Sequence, residues 1–192
     1  MTDLYAKGLL IVISGPSGVG KGAIGNLLRE RNPHLKYSIS ATTRSPRVGE
    51  KNGINYFFLT KDEFLCQREQ GEFLEWAEVY GNFYGTPKSE VQRLRSLGED
   101  VILEIDIKGA MQVKSACPDG IFIFILPPSL EELKKRIIKR GSENEESLMR
   151  RFSEAEDEIA QAKYYEYHVI NDDLMDAVVK IEDIIRCEKT QP

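Results

Sequence analysis

The chain has no excess of positive charge: 26 Lys and Arg stand against 31 Asp and Glu, a formal net charge of −5. That excludes a broad cationic face for tracking a nucleic-acid backbone. Cysteine and histidine are also scarce. Cys66, Cys117 and Cys187 are odd in number and too widely spaced to ligate a metal together, a usage that fits a reducing compartment. His34 lies beside a turn at Asn32-Pro33 and His168 opens an apolar run; neither has another Cys or His close in sequence. No metal held directly by the protein is expected. No apolar run approaches the roughly 20 residues that cross a bilayer, and MTDLYAKG has neither a cationic start nor a small-residue cleavage site. These features point to a cytoplasmic protein without membrane attachment. Repeats and low-complexity segments are absent as well.

What is present is a core. With 192 residues, 41% of them apolar, the chain can build one compact domain with room for a small insertion. Gly8 to Ser14 reads GLLIVIS, a β-branched apolar run suited to a strand buried on both faces. VILEID (Val101 to Asp106), IFIFIL (Ile121 to Leu126) and HVIN (His168 to Asn171) read the same way. Helical patterns alternate with them. Ala23, Ile24, Leu27 and Leu28 form a stripe that Asn32-Pro33 stops; Ser129 and Glu132 have capping-box spacing with Gly141 to close that helix; Leu148, Phe152, Ala155, Ile159 and Ala162 recur at steps of three and four. The alternation predicts an α/β fold with a parallel sheet flanked by helices. Residues 37 to 87 break the rhythm. They hold strand-like NYFFL, a helix capped at Thr60 with Glu63, and FLEWAEVYGNFYG, where Gly81-Asn82 suggests a hairpin turn. They are expected to form an inserted subdomain, with residues 1–36 and 88–192 as the core.

GPSGVGKG follows the first strand and precedes a helix: Gly15, Pro16, Ser17, Gly18, Val19, Gly20, Lys21 and Gly22. In that context Gly-x-x-x-x-Gly-Lys is a phosphate loop. Its backbone N–H groups turn toward phosphate oxygens, the helix N-terminus adds a favourable field, and Lys21 reaches the terminal phosphates. The next residue is normally Ser or Thr, whose hydroxyl meets Mg²⁺. Gly22 and then Ala23 stand there, so Mg²⁺ must be held through nucleotide phosphates and water.

A phosphate loop alone does not separate a GTPase from a kinase. Asp106-x-x-Gly109 has the form of a GTPase switch, but no Asn-Lys-x-Asp follows it. Arg44 and Arg47 lie either side of Pro46, a rigid bend that can aim two guanidinium forks at one phosphate, and Tyr56 and Tyr84 can add hydroxyl donors. Glu104 and Asp106, two apart, are expected on one face of a strand. Thr86 before Pro87 has the signature of a helix N-cap.

SGPSGVGKG, ISATTRSPRVGE, NYFF, EWAEVYGNFYGTP, ILEIDIKGA, FIFILPPS, LKKRIIKRG and VINDD resemble, in order, the blocks of the guanylate kinases, across essentially the whole chain. The resemblance implies a P-loop NTPase core, a small mixed α/β insert that binds GMP, and a helical lid near 136–151. It implies ATP and GMP as substrates with dGMP as a further acceptor, ADP and GDP as products, and Mg²⁺ as the ion accompanying ATP. No nucleic-acid polymer, membrane or obligate protein partner is implied. Glu75 matches the family's base-reading acid, Ser40 and Thr86 its hydroxyl contacts to the base. Glu50 belongs to the same signature as Arg44 and Arg47, and Asp106 lies near the acceptor nucleotide. Arg140 and Arg151 match lid arginines that act with Lys21 and Arg47 on the transferred phosphoryl group. Asn171 and Asp172 match residues on the adenine side of ATP. Two other readings remain open at this point: a non-catalytic protein-binding module of this kind, and a kinase for another small phosphate acceptor.

Overall fold

In the computed structural model, residues 7–140 and 145–190 are described, apart from the side chains of 139, 140, 145–148 and 150. In chain order the elements are β1 (Leu10–Ser14), α1 (Lys21–Arg31), β2 (Leu35–Tyr37), β3 (Ala41–Thr42), β4 (Phe57–Phe58), α2 (Lys61–Glu69), β5 (Phe73–Val79), β6 (Asn82–Pro87), α3 (Lys88–Ser96), β7 (Asp100–Glu104), α4 (Ile107–Ala116), β8 (Ile121–Leu126), α5 (Leu130–Arg140), α6 (Glu145–Ala160), a 3-10 turn (Gln161–Tyr164), β9 (Tyr167–Ile170) and α7 (Leu174–Thr190). The chain divides into two units. Of the described residues, one comprises those up to Leu10, His34–Leu103 and Lys108–Gly120; the other comprises Ile11–Pro33, Glu104–Ile107 and those from Ile121 onward.

The second unit is built on parallel strands. β8 runs between β1 and β9, with Ile11 opposite Ile121 and Ile123 opposite Tyr167. Phe122, Ile123, Phe124 and Ile125 are fully buried, at about 1.5–3 kcal/mol of burial each. Ile105 N–H bonds Ile13 O at 3.3 Å, continuing the chain past β7 along β1. On α1, Ile24, Gly25 and Leu28 face inward, whereas Ala23, expected in that stripe, is exposed. Arg31 and Asn32 hold α1 to α7 through Glu182. At the start of α5, Ser129 Oγ accepts Glu132 N–H at 3.1 Å. The Glu132 carboxylate also lies 3.4 Å from Lys135 Nζ and 3.6 Å from Arg136 Nε. Gly141, expected to close α5, falls outside the described residues.

In the first unit β2 pairs in parallel with β7, and Val101 N–H bonds Leu9 O at 2.8 Å. Buried Arg95 donates Nε to Gly8 O (2.7 Å) and Nη2 to Asp119 (2.9 Å), fastening the start of the chain. The same unit carries a second, four-stranded sheet in the order β4-β3-β6-β5. Phe64 of α2 stacks on Phe73 and Phe83 behind it. The Thr60–Glu63 capping box is complete. The β5–β6 turn is displaced from its expected place: Val79 pairs with Asn82, so Tyr80 and Gly81 form the turn, both at positive φ (50 and 77°), as the tightest hairpins require. The asparagine belongs to the strand.

Candidate functional site

In the second unit, the loop after β1 is shaped by its glycines. Gly20 has φ 102°, and a Cβ there would lie 2.5 Å from Asn171 Nδ2, so only glycine fits. Val19 is buried in the core, anchoring the loop while its neighbours turn. Lys21 Nζ reaches back to Gly15 O (2.6 Å) and Pro16 O (3.2 Å), which stretches the ammonium across the loop. Two α6 side chains meet Ser17: Arg151 Nη2 lies 3.4 Å from its hydroxyl, and Glu158 accepts its N–H at 3.1 Å. Glu158 lies seven residues after Arg151, two helical turns along one face, a spacing in the sequence that pairs the two side chains at one loop.

Asn171, next after β9, reaches back to the phosphate loop. It is buried, its Nδ2 donates to Val19 O at 2.7 Å, and Arg136 donates to its own carbonyl at 3.0 Å. Its amide nitrogen is spent on holding the loop. Asp172 is exposed beside it. Asp106 is also exposed and lies past the end of β7, in the link to α4, so the expected strand alternation with Glu104 does not extend to it. Glu104 approaches the loop: a Cβ at Gly22 would meet its Oε1 at 3.5 Å. Beneath the loop, Tyr165 packs edge-on against Phe124. Its hydroxyl is buried beside the Ser14 hydroxyl, which donates to Ile105 O at 3.1 Å. Burial first, with the Asp106 charge adding to it, pushes Tyr165 up to about 12. Arg140 ends α5; its side chain lies outside the described residues.

In the first unit, one sheet gathers most of the other singled-out side chains. Glu75 on β5 pairs with Thr86 on β6, and the Thr86 hydroxyl donates to Glu75 Oε1 at 2.6 Å. Thr86 is therefore not a helix cap: Pro87 is the N-cap residue of α3, without a side-chain cap. Half-buried Ser40 precedes β3, and its carbonyl accepts Phe57 N–H at 2.9 Å. Tyr84 meets Tyr56 edge-on at 6.2 Å, and the Arg44 guanidinium sits over Tyr56 at 5.6 Å. Arg44 Nη2 bonds both Glu50 oxygens, at 2.9 and 3.0 Å. Glu50 also accepts Arg47 N–H at 2.7 Å. The Arg44 hydrogen bond, and after it the Arg47 amide, hold the Glu50 carboxyl below its usual range. Glu50 thus braces both arginines, and the Arg47 side chain stays exposed. Gln112, on α4, bonds the backbone of Trp76 next to Glu75; local patterning carries no signal for such an amide, whose partner is 36 residues away.

A sequence profile described as guanylate kinase matches residues 7–188. The chain belongs to the guanylate kinase family. It is 60% identical over 183 residues to a guanylate kinase of Clostridium perfringens, covering 95% of this chain and 85% of that one. It is 52% identical over 185 residues to that of Clostridioides difficile, covering 96% and 90%. The crystal structure of guanylate kinase from Anaplasma phagocytophilum superimposes with a TM-score of 0.73 at 34% identity, over 97% of this chain and 89% of the other. The fold of that family, a parallel sheet flanked by helices and entered by a phosphate loop, is the fold found here.

Proposed function

We propose that the chain transfers the terminal phosphoryl group of ATP to GMP, giving ADP and GDP, with ATP on the loop after β1 and GMP on the four-stranded sheet. The observation that carries the acceptor reading is Glu75, a carboxylate only 8% exposed and held by Thr86. Guanine presents N1–H and N2–H₂ donors side by side, and one carboxylate accepts both; adenine offers no such pair. A buried acceptor left unmatched rejects the wrong base strongly. Ser40 and Thr86 complete the base contacts. Arg44, Arg47, Tyr56 and Tyr84 take the GMP phosphate, with Glu50 as the brace that aims the arginines, and Asp106 serves the acceptor nucleotide. dGMP carries the same base and phosphate and is a second acceptor.

The GMP phosphate is already an anionic nucleophile, so no strong general base is required. Positioning and charge neutralisation do the rest. Lys21, Arg140 and Arg151 neutralise the moving phosphoryl group, and Arg47 grips the acceptor phosphate. The backbone from Gly15 to Gly22 cradles ATP. Asn171 and Asp172 serve the adenine side of ATP, and Asn171 also holds the loop through Val19 O. Residues 37–87 form the acceptor-binding insert and 1–36 and 88–192 the core; the lid expected at 136–151 lies in part outside the described residues.

Mg²⁺ fits this loop as a hydrated ion carried by the nucleotide. Gly22 and Ala23 bring no hydroxyl, and among the described residues no group of three or more His, Cys, Asp and Glu gathers. A Cβ at Gly22 would meet only Glu104 Oε1, which leaves space beside a carboxylate for part of a hydration shell. Bound there, the ion neutralises phosphate charge. The reaction needs no protein partner or nucleic acid. A cytoplasmic location suits it: the cysteines are free, and no described helix is long and apolar enough to cross a membrane.

A coupled assay supplying MgATP with GMP, dGMP, AMP, CMP, UMP or dTMP in turn tests this reading. GMP should turn over far faster than AMP and the pyrimidine nucleotides. Equal turnover of AMP would remove the role of Glu75, and no turnover of any acceptor would favour a binding module.

A further inference from the structure

We propose that Gln112 is a positioning residue for guanine selection, acting by fixing the peptide group that follows Glu75. The inference rests on the reading of Glu75 as the base-binding acid. β5 is an edge strand of the order β4-β3-β6-β5, so the N–H and C=O groups on its outer side have no strand to pair with. Trp76 presents such a pair. Gln112 of α4 meets both: its Oε1 accepts Trp76 N–H at 3.1 Å and its Nε2 donates to Trp76 O at 3.1 Å. One planar amide thereby makes the two bonds that a residue of a neighbouring antiparallel strand would make.

The place of this clasp gives it a consequence for the base. The β5–β6 register runs regularly from Val79↔Asn82 back to Glu75↔Thr86, then shifts between Phe73 and Glu75. The extra residue there, Leu74, makes a bulge, which disrupts the ladder and turns the side chain beside it. Glu75 is consequently flanked by an irregular ladder on one side and by the clasped peptide of Trp76 on the other. The Trp76 ring is fixed too, with the Arg68 guanidinium 4.9 Å above it and Phe83 edge-on at 6.1 Å. Gln112 restrains the backbone that the bulge loosens, and through it the direction of the Glu75 carboxylate.

Trp76 is the only tryptophan of the chain, so its fluorescence reports directly on the clasped residue. Full-length wild type, Gln112→Met, Gln112→Ala and, as a control for general loosening, Val113→Ala are compared. Val113 is fully buried on the same helix and carries no role assigned above toward either nucleotide. GMP titration by Trp76 emission, KM for GMP and for ATP, the GMP-to-AMP ratio of kcat/KM, and Tm are measured for each. Both Gln112 variants should weaken GMP binding about ten-fold, the scale of a small misplacement of a binding group. KM for ATP should stay within about two-fold of wild type, the GMP-to-AMP ratio should fall, and Trp76 should become more quenchable by acrylamide. Val113→Ala should lower Tm and leave the ratio unchanged. A lowered Tm with an unchanged ratio in both Gln112 variants would overturn the proposal, as would an equal loss of ratio in Val113→Ala. Failure of the wild type itself to prefer GMP would be visible before any variant is made; it would overturn the reading of Glu75 and the role of Gln112 together.

Discussion

The Thr86 hydroxyl donates to Glu75 Oε1 across 2.6 Å, within a sheet face where both residues are buried. A threonine that its sequence neighbours mark as a helix cap is engaged instead with an acid eleven residues away, and the direction of that acid depends on it.

Replacing either partner should therefore act on the acceptor alone. Glu75→Gln removes an acceptor for paired donors and should lower kcat/KM for GMP by roughly 10⁴, with Thr86→Val costing roughly ten- to a hundred-fold. Steady-state kinetics with each substrate varied in turn checks this; a matching rise in KM for ATP would contradict it.

The brace of Glu50 on Arg44 should show in the pH dependence of GMP binding. Its folded pKa lies below the ordinary value, chiefly because Arg44 bonds the charged form. The stabilisation is therefore complete above the ordinary carboxylate value and is lost as pH falls through the depressed one. Wild-type affinity for GMP should weaken at the acid end of that window. Glu50→Gln should bind GMP several-fold more weakly at neutral pH, and its deficit relative to wild type should shrink toward the acid end, as paired titrations between about pH 3.5 and 7 would reveal, the GMP phosphate, with a second pKa of about 6, titrating alike in both proteins.

Asn171 offers a test on the other substrate. Asn171→Leu leaves the buried Val19 carbonyl without its donor, a loss of about 1–3 kcal/mol. KM for ATP should rise more than KM for GMP, and thermal unfolding should come earlier. Equal changes in both constants would count against a local role in holding the loop.

At the start of the chain, Arg95 holds Asp119 at about 2, below its ordinary 3.8, by hydrogen bonding to the carboxylate. Asp119 is half exposed, so screening limits the ion pair to about 1 kcal/mol. The buried contact of Arg95 to Gly8 O is the larger part, about 1–3 kcal/mol if left unpaired. Arg95→Met should lower stability most above pH ~4, and the difference from wild type should narrow as pH approaches 2, because a depressed carboxyl gives its contribution above that window. Urea unfolding at several pH values measures both parts.

What could be read from the sequence follows the range of the interactions involved. The Thr60–Glu63 cap and the reach of Lys21 back to Gly15 are local, with partners three and six positions apart, and the phosphate loop is a contiguous motif. The hairpin turn came out one residue early because pairing of Val79 with Asn82 sets the register, and the Gly81-Asn82 dipeptide does not reveal that pairing. The work of Glu158, Gln112 and Asn171 is done on backbone atoms 36 to 152 residues away. Periodicity identifies the face a residue occupies, and such partners exist only after the chain has closed.

The burial of β8 between two parallel neighbours has a second consequence. Ile121–Leu126 reads IFIFIL, six apolar residues of high β-propensity without charge or proline, a composition that pairs readily with copies of itself. In the folded chain β1 and β9 cover both its edges. During synthesis β9 emerges some forty residues later, so one edge stays uncovered for that interval, and refolding from denaturant should yield less soluble enzyme as protein concentration rises.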